Sequence, residues 1–298
     1  MQYVALNGRI LPEQEASISP LDRGFLYGDG LFETLKARGG RIEFLGKHLR
    51  RLEGGATFLE IPFPAQLDFR GLILELLERN QIRDEAAVKI HLTRGRHEGL
   101  LYFHETRAPT VTILVEPYTR PDPKKWDEGI AVSVEREILQ NPSSGLCRFK
   151  TLNYLPYLLL RTRARKKGFE DAVLLNPRGE VCECTTSNLF FFREGRLETP
   201  EVSCGLLPGI LREALMECLA EAGEPVREVR LSSEALAESH EIFVTNSLAE
   251  ILPVGHMDGK SFPERERTRA AWTRFQAYRE QLSVVGCQVS GLGETPGP

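Results

Sequence analysis

Three residue settings in this chain could together handle a bound aldehyde. Lys150 stands in Arg148-Phe149-Lys150-Thr151-Leu152-Asn153-Tyr154, just ahead of a stretch with helical character. Glu183 opens Glu183-Cys184-Thr185-Thr186-Ser187-Asn188-Leu189-Phe190, and a helix begins at Leu207-Pro208-Gly209-Ile210. A lysine amine condenses with an aldehyde to a Schiff base, and burial beside cations lowers its pKa enough to make it nucleophilic. A carboxylate can keep a ring nitrogen protonated, which turns the ring into an electron sink. Free N–H groups at a helix start bind phosphate, aided by hydroxyls and arginine. Amine, carboxylate and helix N-terminus are the parts of a site for an aldehyde cofactor carrying a phosphate, of which pyridoxal 5'-phosphate (PLP) is the common one.

Each part alone has an ordinary explanation. The chain has nine lysines, and an average lysine is a solvated surface charge. Glu183 alone could be the exposed position of an alternating strand, Val181-Cys182-Glu183-Cys184. Pro208-Gly209 alone could be a plain helix entry. The order and context of the set reverse that preference.

Over about Leu6 to Gln281 the sequence resembles the class IV, fold-type IV PLP enzymes, which include branched-chain and D-amino-acid aminotransferases and aminodeoxychorismate lyase. Seven blocks in the right order carry the resemblance. They are Arg23 to Thr34 (RGFLYGDGLFET), His48-Leu49-Arg50-Arg51-Leu52, Arg94-Gly95, the Lys150 block, Glu183 to Phe190, Leu207 to Arg212, and Phe243 to Val254. The resemblance implies an α/β (α+β) fold of two domains with the cofactor at their interface. Position by position, it implies that Lys150 is the Schiff-base lysine and proton shuttle. Glu183 contacts the pyridine nitrogen and Tyr154 the ring hydroxyl. Arg51, the amides of Ile210 and Leu211, and Asn246 with Ser247 hold the phosphate, while Ser187, Asn188, Leu207 and Gly209 complete the cofactor contacts. It also implies a homodimer whose active sites borrow a loop from the partner chain.

The substrate side rests on fewer residues. In Val88-Lys89-Ile90-His91-Leu92-Thr93, alternation puts Lys89, His91 and Thr93 on one face. That pattern alone reads as a half-buried strand with a wet face. Relatives place this strand beside the substrate pocket, so the resemblance makes Lys89 and Arg94 candidates for a substrate carboxylate. Tyr27 and Phe32 match the aromatic pocket wall, with core packing as the simpler reading. Arg96-His97 does not reproduce the Arg-x-His carboxylate trap of D-amino-acid aminotransferases, and the branched-chain Tyr-x-Arg is also absent. Lys89 and Leu152-Asn153 lean toward aminodeoxychorismate lyase. The reaction implied first is therefore amino transfer between an amino acid and a 2-oxo acid. The alternative is release of pyruvate and 4-aminobenzoate from aminodeoxychorismate. A catalytically silent binding homologue is disfavoured because Lys150, Glu183 and Arg51 are all present.

Composition fits this setting. The chain has 298 residues, 41% hydrophobic and 27% charged, enough for two modest domains. A net charge of -4 gives no electrostatic case for nucleic acid or an anionic membrane. The N-terminal residues show neither a basic segment nor a long apolar run, so neither a signal peptide nor a membrane span is expected. Six scattered cysteines form no small-protein disulfide framework, which makes a reducing cytoplasm the default. Cys182 and Cys184 lack further ligands at metal spacing, so no metal is expected.

The positioning elements read as follows. Residues 1–118 form a smaller N-terminal α/β domain. Residues 116–123, with three prolines, break regular structure, and residues 119–128 form the interdomain linker. Residues 129–284 form a larger cofactor-binding domain, and residues 285–298 lack core-forming residues and are expected to be disordered. Helices are predicted over 67–77, 155–167, 208–222 and 263–282, and strands over 111–115 and 130–134.

Overall fold

The computed structural model describes residues 1–96, 108–137 and 140–289. The first sheet comprises β1 (Tyr3–Leu6), β2 (Arg9–Pro12), β3 (Gly30–Arg38), β4 (Arg41–Ile42), β5 (Glu85–Thr93) and β6 (Thr110–Pro117). Their spatial order is β2-β1-β6-β5-β3-β4, antiparallel throughout. The short helix α1 (Arg23–Tyr27) precedes β3, and α2 (Leu45–Phe58) and α3 (Phe69–Arg79) fall between β4 and β5. Alternation does what the sequence predicts in β5. Val88, Ile90 and Leu92 are buried in the core with Leu52, Ala56, Ile73 and Leu76 of the two helices. Lys89 and His91 lie on the opposite face, and the register pairs them with Thr34 and Phe32 of β3. The side of the sheet turned away from the helices thus carries Phe32, Thr34 and Lys36.

A short helix, α4 (Lys124–Glu128), occupies the predicted linker. Trp126 anchors this helix, packing edge-on to Trp272 at 5.3 Å between ring centroids. The second sheet follows, with β7 (Ile130–Glu135), α5 (Leu155–Lys166), β8 (Asp171–Leu175), β9 (Val181–Cys184), β10 (Asn188–Arg193), β11 (Arg196–Pro200), α6 (Ile210–Glu221), β12 (Arg227–Val229), α7 (Ser233–Ala237), β13 (Glu241–Asn246), β14 (Glu250–Met257), β15 (Lys260–Ser261) and α8 (Glu266–Val289). Its order is β12-β11-β10-β13-β14-β7-β8-β9, with β15 on β14. Both faces of β10 are buried, which explains its unbroken apolar run. Phe190 and Phe192 pack against α6 and Phe275 of α8, while Leu189 and Phe191 face a separate cluster with Val173, Ile242 and Val254. The helix α8 continues to Val289, so the expected disordered tail is corrected over 285–289, while 290–298 lie outside the described residues.

Buried charges join the two sheets. Lys36 Nζ reaches Glu250 Oε1 at 2.8 Å and Glu85 Oε2 at 3.2 Å, and Arg38 contacts the same two carboxylates. Arg279 of α8 adds 2.9 Å to Glu250 and 3.3 Å to Glu43. Burial alone would raise Glu250, but Lys36 and Arg279 outweigh it and hold the carboxyl at about 2. Removing one partner from such a cluster strands the others, which costs more than an exposed pair is worth.

Candidate active site

A cavity of about 790 Å³ is lined by Phe32 and Thr34 of the first sheet together with residues of the second. The Lys150 segment is attached to the first sheet by backbone hydrogen bonds. Phe32 N donates to Lys150 O at 2.8 Å and Leu152 N donates to Gly30 O at 2.9 Å, with a bridge between Leu31 and Thr151. This places Lys150 Nζ 4.3 Å from the centre of the Phe32 ring and 5.0 Å from that of Tyr154. Burial, with the Arg51 charge added, lowers the amine from its ordinary 10.5 to about 8, against the pull of Glu33 and Glu183. Losing a proton near neutral pH is what a lysine nucleophile or base requires.

Glu183 is buried, as are all four residues of β9, so the exposed-strand reading is excluded. Its Oε2 accepts from Leu207 N at 3.1 Å and Asn188 Nδ2 at 3.2 Å, and its Oε1 from Gln140 Nε2 at 3.2 Å. Burial nevertheless pushes the carboxyl up to about 8, because these donors and Lys150 only partly offset desolvation. A cationic N–H brought against it would restore the ionised form. Asn188 also donates to Leu207 O at 2.9 Å. A Cβ on Gly209 would lie 1.9 Å from Asn188 Oδ1, so glycine is what lets Asn188 sit there.

The third part is an anion site. Arg51 binds Glu33 through Nε at 2.8 Å and Nη2 at 2.7 Å, and its Nη1 donates to Pro208 O at 2.8 Å. Burial would raise Glu33, but Arg51 and His48 together hold it at about 2. His48 Nδ1 lies 2.7 Å from Glu33 Oε2, and its Nε2 lies 3.4 Å from Ser247 Oγ. Beside them α6 opens at Ile210 behind Gly209 with no side chain capping its first amides, which are therefore free for an anion. Thr245 Oγ1, on the cavity wall, is buried without a hydrogen-bond partner. An orphaned hydroxyl there is costly unless a ligand completes it.

Ser187, Asn188, Leu207, Gly209, Ile210 and Leu211 all line this cavity, together with Asn246 and Ser247. Asn246 differs in detail. Its Oδ1 accepts from Leu248 N at 3.0 Å and Ala249 N at 2.8 Å, so its side-chain oxygen shapes the turn. Tyr154 OH donates to Thr185 O at 2.7 Å, and its ring stacks on Tyr157 at 4.7 Å.

Of the four substrate candidates only Phe32 reaches the cavity. Arg94 is a structural clamp: it is buried and binds Asp29 Oδ2 at 2.8 Å, Leu59 O at 2.6 Å and Glu60 O at 3.0 Å. Lys89 points to Glu116 at 2.8 Å, outside the cavity lining. Tyr27 is half exposed on α1, with the Arg23 guanidinium 5.1 Å from its ring centre. His97 lies outside the described residues. Glu33, His48, Gln140 and Thr245 were not singled out from the sequence. Glu33, His48 and Thr245 sit inside matched blocks, which was the available signal; Gln140 carried none. The five described cysteines are free, and among the described residues no cluster is suited to a metal.

Comparison with known proteins agrees with this arrangement. A protein of Methanocaldococcus jannaschii, "Putative branched-chain-amino-acid aminotransferase", is 34% identical over 94% of this chain and 98% of its own. Aminodeoxychorismate lyase of Bacillus subtilis is 30% identical over 84% of this chain and 85% of its own. The branched-chain aminotransferase of Thermoproteus uzoniensis, solved with norvaline, superposes with a TM-score of 0.82 at 25% identity, covering 93% of each chain. The model of the family described as amino-transferase class IV matches residues 30–257, most of the chain. The protein is thus a member of the class IV aminotransferase family, with the two-domain α/β fold of fold type IV.

Proposed function

We propose that this chain is a PLP-dependent aminotransferase that moves an amino group between an amino acid and a 2-oxo acid. The observation that carries this reading is one cavity holding the Lys150 amine, the Glu183 carboxyl and the Arg51–α6 anion site. The parts fit PLP: a phosphate suits the free α6 amides and Arg51, with Ser247 and the orphaned Thr245 hydroxyl close by. When bound, PLP supplies an electron sink for the carbanion formed at the substrate Cα. Lys150 removes the Cα proton and redelivers it, which its lowered pKa permits. Glu183 holds the ring nitrogen protonated. The Tyr154 hydroxyl donates to Thr185 O, which would leave its oxygen to accept from the ring hydroxyl. The cavity then lies between a domain of residues 1–118 and one of residues 129–284.

Lyase chemistry on aminodeoxychorismate is the second reading, supported by Leu152-Asn153 and the Bacillus subtilis relative. The placement of Lys89 on Glu116, outside the cavity, removes one argument for it. The fate of the cofactor separates the two. With one L- or D-amino acid and no acceptor, an aminotransferase bleaches its visible absorbance and stops until a 2-oxo acid is added. A protein bleached by no donor in a broad panel, yet releasing pyruvate and 4-aminobenzoate from aminodeoxychorismate without an acceptor, would be the lyase.

The anion site makes its own prediction. Arg51→Ala should weaken PLP binding on the order of tenfold or more, because even one charge-assisted hydrogen bond from its remaining N–H groups is worth more than a solvated charge. Arg50→Ala should change it little. Equal PLP dissociation constants for the two variants would remove Arg51 from the phosphate site.

A homodimer completes the reading. Phe25 on α1 is 76% exposed and Leu155 on α5 is 75% exposed, with Leu26, Tyr27 and Leu158 also uncovered. Clustered apolar surface of this kind marks interfaces, and a symmetric pair is the commonest assembly. Light scattering at assay concentration should give twice the chain mass; a fully active monomer would contradict it. Among the described residues no helix is long and apolar enough to cross a membrane. With no disulfide among the described cysteines, we place the protein in the cytoplasm.

A further inference from the structure

One face of α5 runs along the cavity beyond the residues assigned above. Tyr154, Tyr157, Arg161 and Arg165 are spaced three, four and four residues apart and all line it, as one stripe of a helix does. The two tyrosines lie nearest the reacting end, with Tyr157 OH tied to Gln140 and through it to Glu183. The two arginines continue toward the mouth. Arg161 is half buried, its Nε is inaccessible to solvent, and that atom has no hydrogen-bond partner. Among the described residues, neither arginine is in an ion pair.

The carboxylates around this end are, by contrast, already engaged. Glu170 takes Lys125 Nζ on one oxygen and Ala131 N on the other. Asp171 accepts from Ala172 N, Thr185 N and the Thr185 hydroxyl on Oδ1, and from the Thr186 and Ser187 hydroxyls on Oδ2. Asp122, exposed at the mouth, accepts from Lys124 N. A molecule entering here meets carboxylate oxygens already bonded and the terminal guanidinium nitrogens of two arginines that no ion pair engages among the described residues. A planar donor fork suits a carboxylate or phosphate.

We propose that Arg161 and Arg165 form a subsite for the distal anionic group of a dianionic amino donor or acceptor. This rests on the aminotransferase reading and specifies its substrate class. Tyr154 and Arg161 lie seven residues apart, roughly 10 Å along the helix axis, and the arginine side chain leans back toward the helix start. The second anion therefore stands several bonds from the reacting carbon, so chain length should matter.

The test titrates unreactive dicarboxylates, succinate through pimelate, into the PLP-loaded protein by calorimetry, against monocarboxylates of equal length. One dicarboxylate should bind on the order of tenfold tighter than its monocarboxylate, as expected for a charge-assisted hydrogen bond. Arg161→Gln and Arg165→Gln should each erode that ratio, and Arg161→Lys should retain part of it. Arg163→Gln, on the outward face of the same helix where Arg163 meets Glu137, should leave it unchanged. The ratio of kcat/KM for dianionic over neutral donors should fall in parallel. Arg165 is exposed, so its variant reports even if Arg161→Gln misfolds. Equal binding of di- and monocarboxylates, or a ratio unaltered in both glutamine variants, overturns the subsite. A chain that forms no borohydride-fixed adduct on Lys150 overturns the aminotransferase reading as well; one that forms it without dicarboxylate preference overturns the subsite alone.

Discussion

Lys150→Ala should abolish the visible colour of the PLP-loaded protein and reduce turnover by ~10²–10⁴-fold or more, the range for losing a positioned proton-transfer group. The effect is large because one amine serves twice, as covalent anchor and as base. Among the described residues no second amine is placed to substitute for it. Lys36 is engaged with Glu250, Lys89 with Glu116, and Lys125 with Glu170. The variant should still bind PLP weakly through the Arg51–α6 site, since Lys150 is not part of it. Borohydride reduction followed by peptide mapping reads the assignment directly. An adduct on Lys89, or on any lysine other than Lys150, rejects it.

The second large effect is expected at Glu183. Glu183→Gln keeps the shape and the contacts to Asn188 and Leu207 but removes the charge that holds a ring nitrogen protonated. PLP should remain bound while Cα proton removal slows by several orders of magnitude, at ~1.4 kcal/mol per tenfold. Unchanged single-turnover rates would make Glu183 an ordinary strand residue. Burial also links this residue to pH. In the cofactor-free protein the folded chain keeps a proton on Glu183 up to about 8, whereas the ordinary value for this group is 4.5. Between those values the folded state binds the extra proton, so the Glu183 contribution to stability falls as pH rises, by roughly 1.4 kcal/mol per pH unit at most. In Glu183→Gln that part of the pH dependence should vanish from cofactor-free urea melts.

The cofactor half of the site could be read from the sequence because its residues fall in matched motif blocks. Lys150 directly precedes a helix, Glu183 lies in a short strand, and the amides of Ile210 and Leu211 belong to a helix start that proline and glycine announce. The substrate half was not legible. Arg94 has the right charge and a suggestive place, yet its three nitrogens serve Asp29, Leu59 and Glu60, partners distant in sequence. Lys89 follows the right alternation, but the same alternation is satisfied by a salt bridge to Glu116 on the next strand. Periodicity gives a residue's face and not its partner. Gln140 and Thr245 were missed for a related reason: neither is charged, and their significance comes from burial beside groups far away in the chain. The short helix α4, just after the proline-rich break, had no sequence reading, and a tryptophan contact across the fold holds it.

The attachment of Lys150 to the edge of β3 makes the nucleophile a dual citizen of the fold. By sequence it belongs with the second sheet; by hydrogen bonding it is an extension of the first, through Phe32, Leu31 and Gly30. Glu183, in β9, has no such tie. Any hinge rotation of one sheet against the other would carry the amine with β3 and the carboxyl with β9. Their separation therefore reports the angle between the two sheets.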